Sequence, residues 1–171
     1  PHILTMTATP IPRTLALTIY GEHELSVIET MPKGRIPVKT FLVPPLKRNA
    51  AYVWIKNKIT NEHTQAFIIC PRIEESENET TKSVKAAKKE YINLKEKEFS
   101  GLRVDLLHGK LKPSEKSMVM NLFATGKTDV LVSTSVVEVG IDIPNASIML
   151  IEGADRYGLA QLHQLRGRVG R

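Results

Sequence analysis

The sequence predicts an α/β fold, a parallel sheet flanked by helices. Three observations predict it. After residue 38, short apolar runs alternate with longer amphipathic stretches, the order that builds a parallel sheet with right-handed crossovers. The run at 129–132 is nearly continuous in apolar residues, as a strand covered on both faces is. Glycines and prolines stand at the joints between the two kinds of stretch.

Taken in order, His2–Met6 reads as a short buried strand, followed by a turn through Thr7-Ala-Thr-Pro-Ile-Pro-Arg13. Thr9 is placed to cap a helix carrying Leu15, Leu17 and Ile19, which Gly21 stops. Leu25–Ile28 is a short strand, and Met31-Pro-Lys-Gly-Arg-Ile-Pro37 is a connector and domain boundary. Val38–Val43 alternates like a strand that Pro44 and Pro45 end. Residues 47–60 form a helix with Tyr52, Ile55 and Ile59 on one face, and Gln65–Cys70 is a buried strand. A polar acidic loop over 74–81 leads to a charged amphipathic helix over 82–99, with Val84, Ala87, Tyr91 and Leu94 inward. Arg103–Leu107 is the next strand. Pro113 then opens a helix that buries Val119, Leu122 and Phe123 and stops at Gly126. Asp129–Val132 and Ser147–Ile151 are the last strands, with a short helix between them, and a helix runs from Gly158. Ser135 and Glu138 have the spacing of a helix capping box.

A chain of 171 residues holds one domain with some flanking structure. Its apolar runs are too short to span a bilayer, and no secretory signal is visible. The single cysteine, Cys70, excludes an internal disulfide framework and suits a reducing compartment. The histidines lack metal-ligand spacing. Net charge is +6, yet residues 30–61 carry seven bases and no acid. Such a block either faces nucleic-acid phosphates or is a solvated surface. Pro1 opens directly on an apolar run and Arg171 closes on an arginine cluster, so the chain reads as a piece of a longer polypeptide. Gly126-Lys127-Thr128 looks like the tail of a phosphate-binding P-loop, but position 121 is Asn, where the loop needs Gly, and a helix precedes it.

The chemistry concentrates in Gln164-Leu-Arg-Gly-Arg-Val-Gly-Arg171. Guanidinium forks match phosphate oxygens, and Gly167 and Gly170 admit close approach to the backbone. On a helix Arg168 and Arg171 would share one face. The stretch resembles motif VI of the superfamily 2 helicases, Gln-x-x-Gly-Arg-x-Gly-Arg. The longer run from Tyr157 is similar to the form in RecG-type branch-migration helicases and in the related transcription-repair coupling factors. Thr7–Gly21 resembles RecG motif III, Met31–Arg35 its connector, and Cys70–Ser76 its motif IV, where Leu is more usual than Arg72. Leu107-His-Gly-Lys-Leu-Lys-Pro-Ser-Glu-Lys116 resembles motif IVa, and Ser133–Pro144 motif V.

The resemblance implies a RecA-like fold. Residues 38–171 would be a second motor domain, truncated at its end, and residues 1–37 the edge of a first motor domain with its linker. It implies ATP and Mg²⁺ as cofactors, both held mainly by the first motor domain. It implies branched DNA as partner, namely forks and Holliday junctions, with branch recognition by another domain of the same polypeptide and no membrane. A bacterial cytoplasmic location goes with it. By the motif match, Arg168 and Arg171 are finger residues toward the γ-phosphate, while Gly140, Asp142 and Gln164 face nucleotide. Thr7, Thr9, His108, Gly109 and Thr134 lie toward the DNA backbone or couple it to nucleotide, with no acid–base role for His108. The segment alone is expected not to hydrolyse ATP. A coupling-factor translocase and a non-catalytic nucleic-acid-binding module are the alternatives. Met31–Arg35 and Cys70–Ser76 tell against the first, and the pairing of motifs V and VI against the second.

Overall fold

A computed structural model describes residues 26, 30, 37–71, 88–134, 143 and 145–170. The expectations for 1–25, for the connector through Ile36, for 72–87 and for Ser135–Asp142 lie outside the described residues. Those include the first strand and helix, Thr7, Thr9, Arg72, Ser135, Glu138, Gly140 and Asp142, and Arg171 lies outside them too.

The sheet has four parallel strands, β1 (Gln65–Ile69), β2 (Val104–Leu107), β3 (Val130–Ser133) and β4 (Ala146–Ile151), in the order β2-β3-β1-β4. β1 is interior and every residue in it is buried. Its apolar run is continuous because both faces are covered. Ala66 and Ile68 point into one core, with Tyr52, Ile55 and Ile59 of helix α1 (Arg48–Glu62) and with Leu94 and Phe99. Phe67 and Ile69 point into the other, with Phe123 of α2 (Pro113–Ala124) and Leu165 of α3 (Leu159–Arg166). Phe67 and Phe123 meet edge to face with ring centroids 4.8 Å apart. Tyr52 and Phe99 do the same at 5.7 Å on the opposite face.

Local chemistry sets the helix limits. Pro113 occupies the first turn of α2, where its missing N–H costs nothing, and Glu115 Oε2 accepts the Lys112 N–H at 2.8 Å. Gly126 then turns the chain back with a φ of +70°. The three-residue match to a P-loop tail is therefore a helix stop, and Thr128 is a buried residue whose hydroxyl donates to Asp105. Gln65, also buried, donates from Nε2 to the carbonyls of Phe123 and Thr128 at 2.7 and 2.6 Å, tying the end of α2 to the start of the sheet.

Three expectations need correction. Residues 38–43 are not a strand: among the described residues they take no place in the sheet, and Phe41 and Leu42 are 75 % and 93 % exposed. Period-two alternation describes a strand only where a neighbour takes up its N–H and C=O groups. The helix expected to run to Phe99 is regular over 88–93 and then widens into a π turn over Leu94–Glu98. In α2 the buried pair is Met120 and Phe123, with Val119 and Leu122 half-buried, a rotation of the buried stripe by less than one position.

Candidate functional site

In a parallel sheet all strands leave at one edge, so the residues just after them are brought into a row. Leu107 pairs with Ser133, and the Thr134 N–H donates to the Leu107 carbonyl at 3.3 Å. His108 and Thr134 are therefore neighbours. Cys70 N–H donates to Ser133 O at 2.8 Å, and Glu152 N–H donates to Ile69 O at 2.9 Å. The row at the carboxyl edge reads His108, Thr134, Cys70, Glu152.

His108 is 8 % exposed, and its Nδ1 is buried without a hydrogen-bond partner among the described residues. Burial, then the positive charge of Lys88, pulls its pKa below the ordinary imidazole value, so the ring is neutral at pH 7. Gly109 beside it is exposed, with open space where a Cβ would stand. Thr134 is 6 % exposed. Burial, with Glu90 and Glu152 nearby, pushes the Cys70 thiol up to about 12, so Cys70 is a small buried apolar group and not a nucleophile. Tyr157, pushed up to about 12 chiefly by burial, has its hydroxyl buried without a hydrogen-bond partner among the described residues.

From β4 the chain turns at Gly153, whose φ is +60°, and passes through a 3-10 turn (Ala154–Arg156) into α3. Gly158 N–H donates to Gln161 Oε1 at 3.2 Å and starts the helix. The arginine cluster is not helical throughout: Arg168 lies past the end of the helix, and Arg171 lies outside the described residues. The helix ends at Arg166, and the Arg168 N–H reaches back to Leu165 O at 2.9 Å in a tighter turn. Gly170 follows with a φ of +73°. Leu165 and Val169 are buried on either side, so half-buried Arg168 leaves from a turn pinned to the core. Gln164 is exposed on α3. Arg166 donates from Nη2 to Val38 O at 2.9 Å, fastening the extended segment to α3.

Sequence reasoning missed a second charged group on the same edge. Arg48, first residue of α1, donates from Nε to Tyr52 Oη at 2.9 Å and to Glu152 Oε1 at 3.2 Å, and from Nη2 to Glu90 Oε1 at 2.8 Å. Tyr52 Oη donates to Glu152 as well. Burial, then that bond to Glu152, holds the phenol well above its ordinary pKa. No sequence signal pairs residues 48 and 152. The basic block is also partly engaged within the fold: Lys56 donates to Ser100 O at 2.7 Å and Lys58 pairs with Glu62.

Among the described residues no three His, Cys, Asp or Glu side chains gather as a metal-binding group. No helix among them is long and apolar enough to cross a membrane.

Comparison with known proteins places this geometry. Residues 50–171 match the helicase conserved C-terminal domain. The ATP-dependent DNA helicase RecG of Synechocystis sp. is 49% identical over 171 residues, covering 100% of this chain and 20% of that protein. RecG of Haemophilus influenzae is 47% identical over 171 residues, 100% of this chain and 24% of its own length. The chain thus spans about a fifth to a quarter of the relatives it matches. A solved structure of RecG bound to a three-way DNA junction superposes with a TM-score of 0.73 at 46% identity, over 96% of this chain and 20% of that one. A Dbp5 variant of S. cerevisiae bound to RNA and ADP BeF3 superposes with a TM-score of 0.50 at 25% identity, over 72% of this chain and 30% of that one. The sheet is that of a RecA-like helicase C-terminal domain, and the chain belongs to the helicase conserved C-terminal domain family, with RecG helicases as its relatives along its whole length.

Proposed function

We propose that the chain is the second motor domain of a RecG-type, ATP-dependent DNA helicase that remodels stalled forks and Holliday junctions. Residues 1–37 belong with the edge of the first motor domain and its linker, and residues 38–171 with the second. The observation that carries this reading is the full-length likeness to RecG together with one shared edge: His108, Thr134 and the departure toward Arg168 all lie beyond the carboxyl ends of the strands. The solved RecG relative is bound to a three-way junction, which supports branched DNA as the partner.

On this reading ATP and Mg²⁺ would be held mainly by the first motor domain, and when bound ATP would supply the γ-phosphate that is transferred to water. Arg168 and Arg171 neutralise charge at that phosphate, a role worth roughly 10³–10⁵ in rate in other phosphoryl-transfer enzymes. Gly140 and Asp142 of motif V and Gln164 of motif VI line the nucleotide side. Thr134, His108 and Gly109 meet the DNA backbone, and Thr7 and Thr9 couple the two. A neutral His108 holds the DNA by hydrogen bonding and shape and adds no charge. Backbone contacts of this kind read structure and carry no sequence information. The bacterial cytoplasm is the setting that goes with this function.

The test is ATP hydrolysis by the complete polypeptide, with and without forked DNA, beside Arg168→Ala. Fork-stimulated hydrolysis that collapses in Arg168→Ala supports motor and finger together. Hydrolysis indifferent to Arg168 refutes the finger, and no hydrolysis by a folded protein refutes the motor. The 171 residues by themselves are expected to show no turnover.

A further inference from the structure

The group around Arg48 has a geometry that surface ion pairs lack. One guanidinium reaches three acceptors on three separate elements: Tyr52 on α1, Glu90 on the helix over 88–93, and Glu152 directly after β4. Both Glu152 carboxylate oxygens are used, Oε2 standing 3.2 Å from Arg48 Nη2. Arg48 is 46% exposed, so its ion pairs contribute little to stability. A planar fork with fixed donor directions instead defines position.

The position it defines is the exit from β4. Glu152 is followed at once by Gly153, which lies so close to Pro71 that an added Cβ would stand 3.3 Å from the Pro71 ring. On the other face, Leu165 and Val169 are buried in the core. The segment 152–169 thus begins at the Arg48 group, packs on the core through Tyr157, and ends at the buried pair Leu165 and Val169, with Arg168 between them.

We propose that Arg48, Tyr52 and Glu152, with Glu90, are positioning residues for ATP hydrolysis, fixing the departure of the chain from β4 and through it the placement of Arg168. This rests on the reading of Arg168 given above. On this proposal the group works without contact to nucleotide or DNA. It acts by limiting the directions in which the Gly153 turn can carry α3.

The experiment measures DNA-stimulated ATP hydrolysis by the full-length helicase, unmodified and as Tyr52→Phe, Glu152→Gln, Arg48→Met, Arg48→Lys and Arg168→Ala. Tyr52→Phe removes one hydroxyl and keeps the ring in the core. It is expected to lower kcat by about tenfold, within the range for a displaced catalytic group, and to leave KM for ATP within about twofold. Arg48→Lys is expected to recover part of what Arg48→Met loses. In an Arg168→Ala background, Tyr52→Phe and Glu152→Gln are expected to cost nothing further, because the residue they position is gone. An unchanged kcat in Tyr52→Phe and Glu152→Gln, with Arg168→Ala inactive, overturns the proposal and leaves the function standing. Losses that multiply with Arg168→Ala, or that match the loss of folded protein by circular dichroism, overturn it too. Hydrolysis indifferent to Arg168→Ala overturns the underlying reading and the proposal with it.

Discussion

Replacing Gly153 by Ala tests the turn on which the departure from β4 depends. Gly153 adopts φ +60° and ψ +47°, the left-handed region, where a Cβ crowds the following carbonyl and costs about 1 kcal/mol. The Cβ would also stand 3.3 Å from Pro71 Cγ and 3.7 Å from Arg156 Cδ. The arginine carbon swings away, but the proline ring is fixed to the chain leaving β1. Crowding of this kind adds about 1 kcal/mol, at the low end for overpacking. Gly126 isolates the two terms, because its φ is +70° and nothing lies within 4 Å of its Cβ position. Gly126→Ala should cost about 1 kcal/mol and Gly153→Ala about 2 kcal/mol. The assay is urea unfolding of this chain followed by circular dichroism, with the slope held constant between variants. A Pro71→Ala background should remove the difference between the two glycine variants, and the effect of Pro71→Ala on the unfolded chain cancels in the cycle. Equal costs at both glycines, or a difference that survives Pro71→Ala, would refute the close approach and with it the geometry of the exit.

Phe123→Ala removes a fully buried ring stacked edge to face on Phe67 and should cost about 3–5 kcal/mol in urea unfolding. A loss below about 1 kcal/mol would mean that α2 does not close that face. Cys70, with its thiol at about 12, should react with a maleimide at pH 8 at least about a hundredfold more slowly in the folded chain than in urea, and equal rates would sink the assignment. His108 is held neutral, with its folded pKa below the ordinary 6.5, so the unfolded chain binds the proton more readily. Stability is therefore complete above about pH 6.5 and falls as pH drops through the folded value. The melting temperature of His108→Gln should fall less between pH 7.5 and 5.5 than that of the unsubstituted chain, and parallel curves would exclude the effect.

The sheet was legible because its signal is local. β1, β3 and β4 announce themselves by apolar runs of the right length, and α1 by Tyr52, Ile55 and Ile59 at helical spacing. Val38–Val43 misled because alternation records only a capacity to be half-buried, whereas a strand also needs a partner at its hydrogen-bonding edge. The end of α3 misled for a related reason. Gly167 alone does not tell whether a helix runs through it or tightens there; the Arg168 N–H turning to Leu165 O and the left-handed φ of Gly170 mark the tightening. His108 and Thr134 could be placed at strand ends from the sequence, but their adjacency needs the strand order, which comes from which loops cross which. The Arg48 group could not be assembled from the sequence, since two of its three partners are 42 and 104 residues away.

The basic block shows why net charge is a poor guide to the binding face. Seven bases without an acid over 30–61 suggested a phosphate-binding strip. In the fold, Arg48 faces Glu90 and Glu152, Lys58 faces Glu62, and Lys56 is drawn to the Ser100 carbonyl. The carboxylates largely offset the charges of Arg48 and Lys58 at the distance of an approaching phosphate, while Lys56 keeps its charge beside a neutral carbonyl and exposed Lys39 and Lys47 remain on this stretch. On the proposed reading, affinity for a nucleic-acid backbone also draws on the carboxyl edge of the sheet. Neutralising Lys58, already paired with Glu62, should therefore weaken DNA binding by the full-length protein less than neutralising exposed Lys47 does, and equal losses in a salt titration would refute the pairing argument.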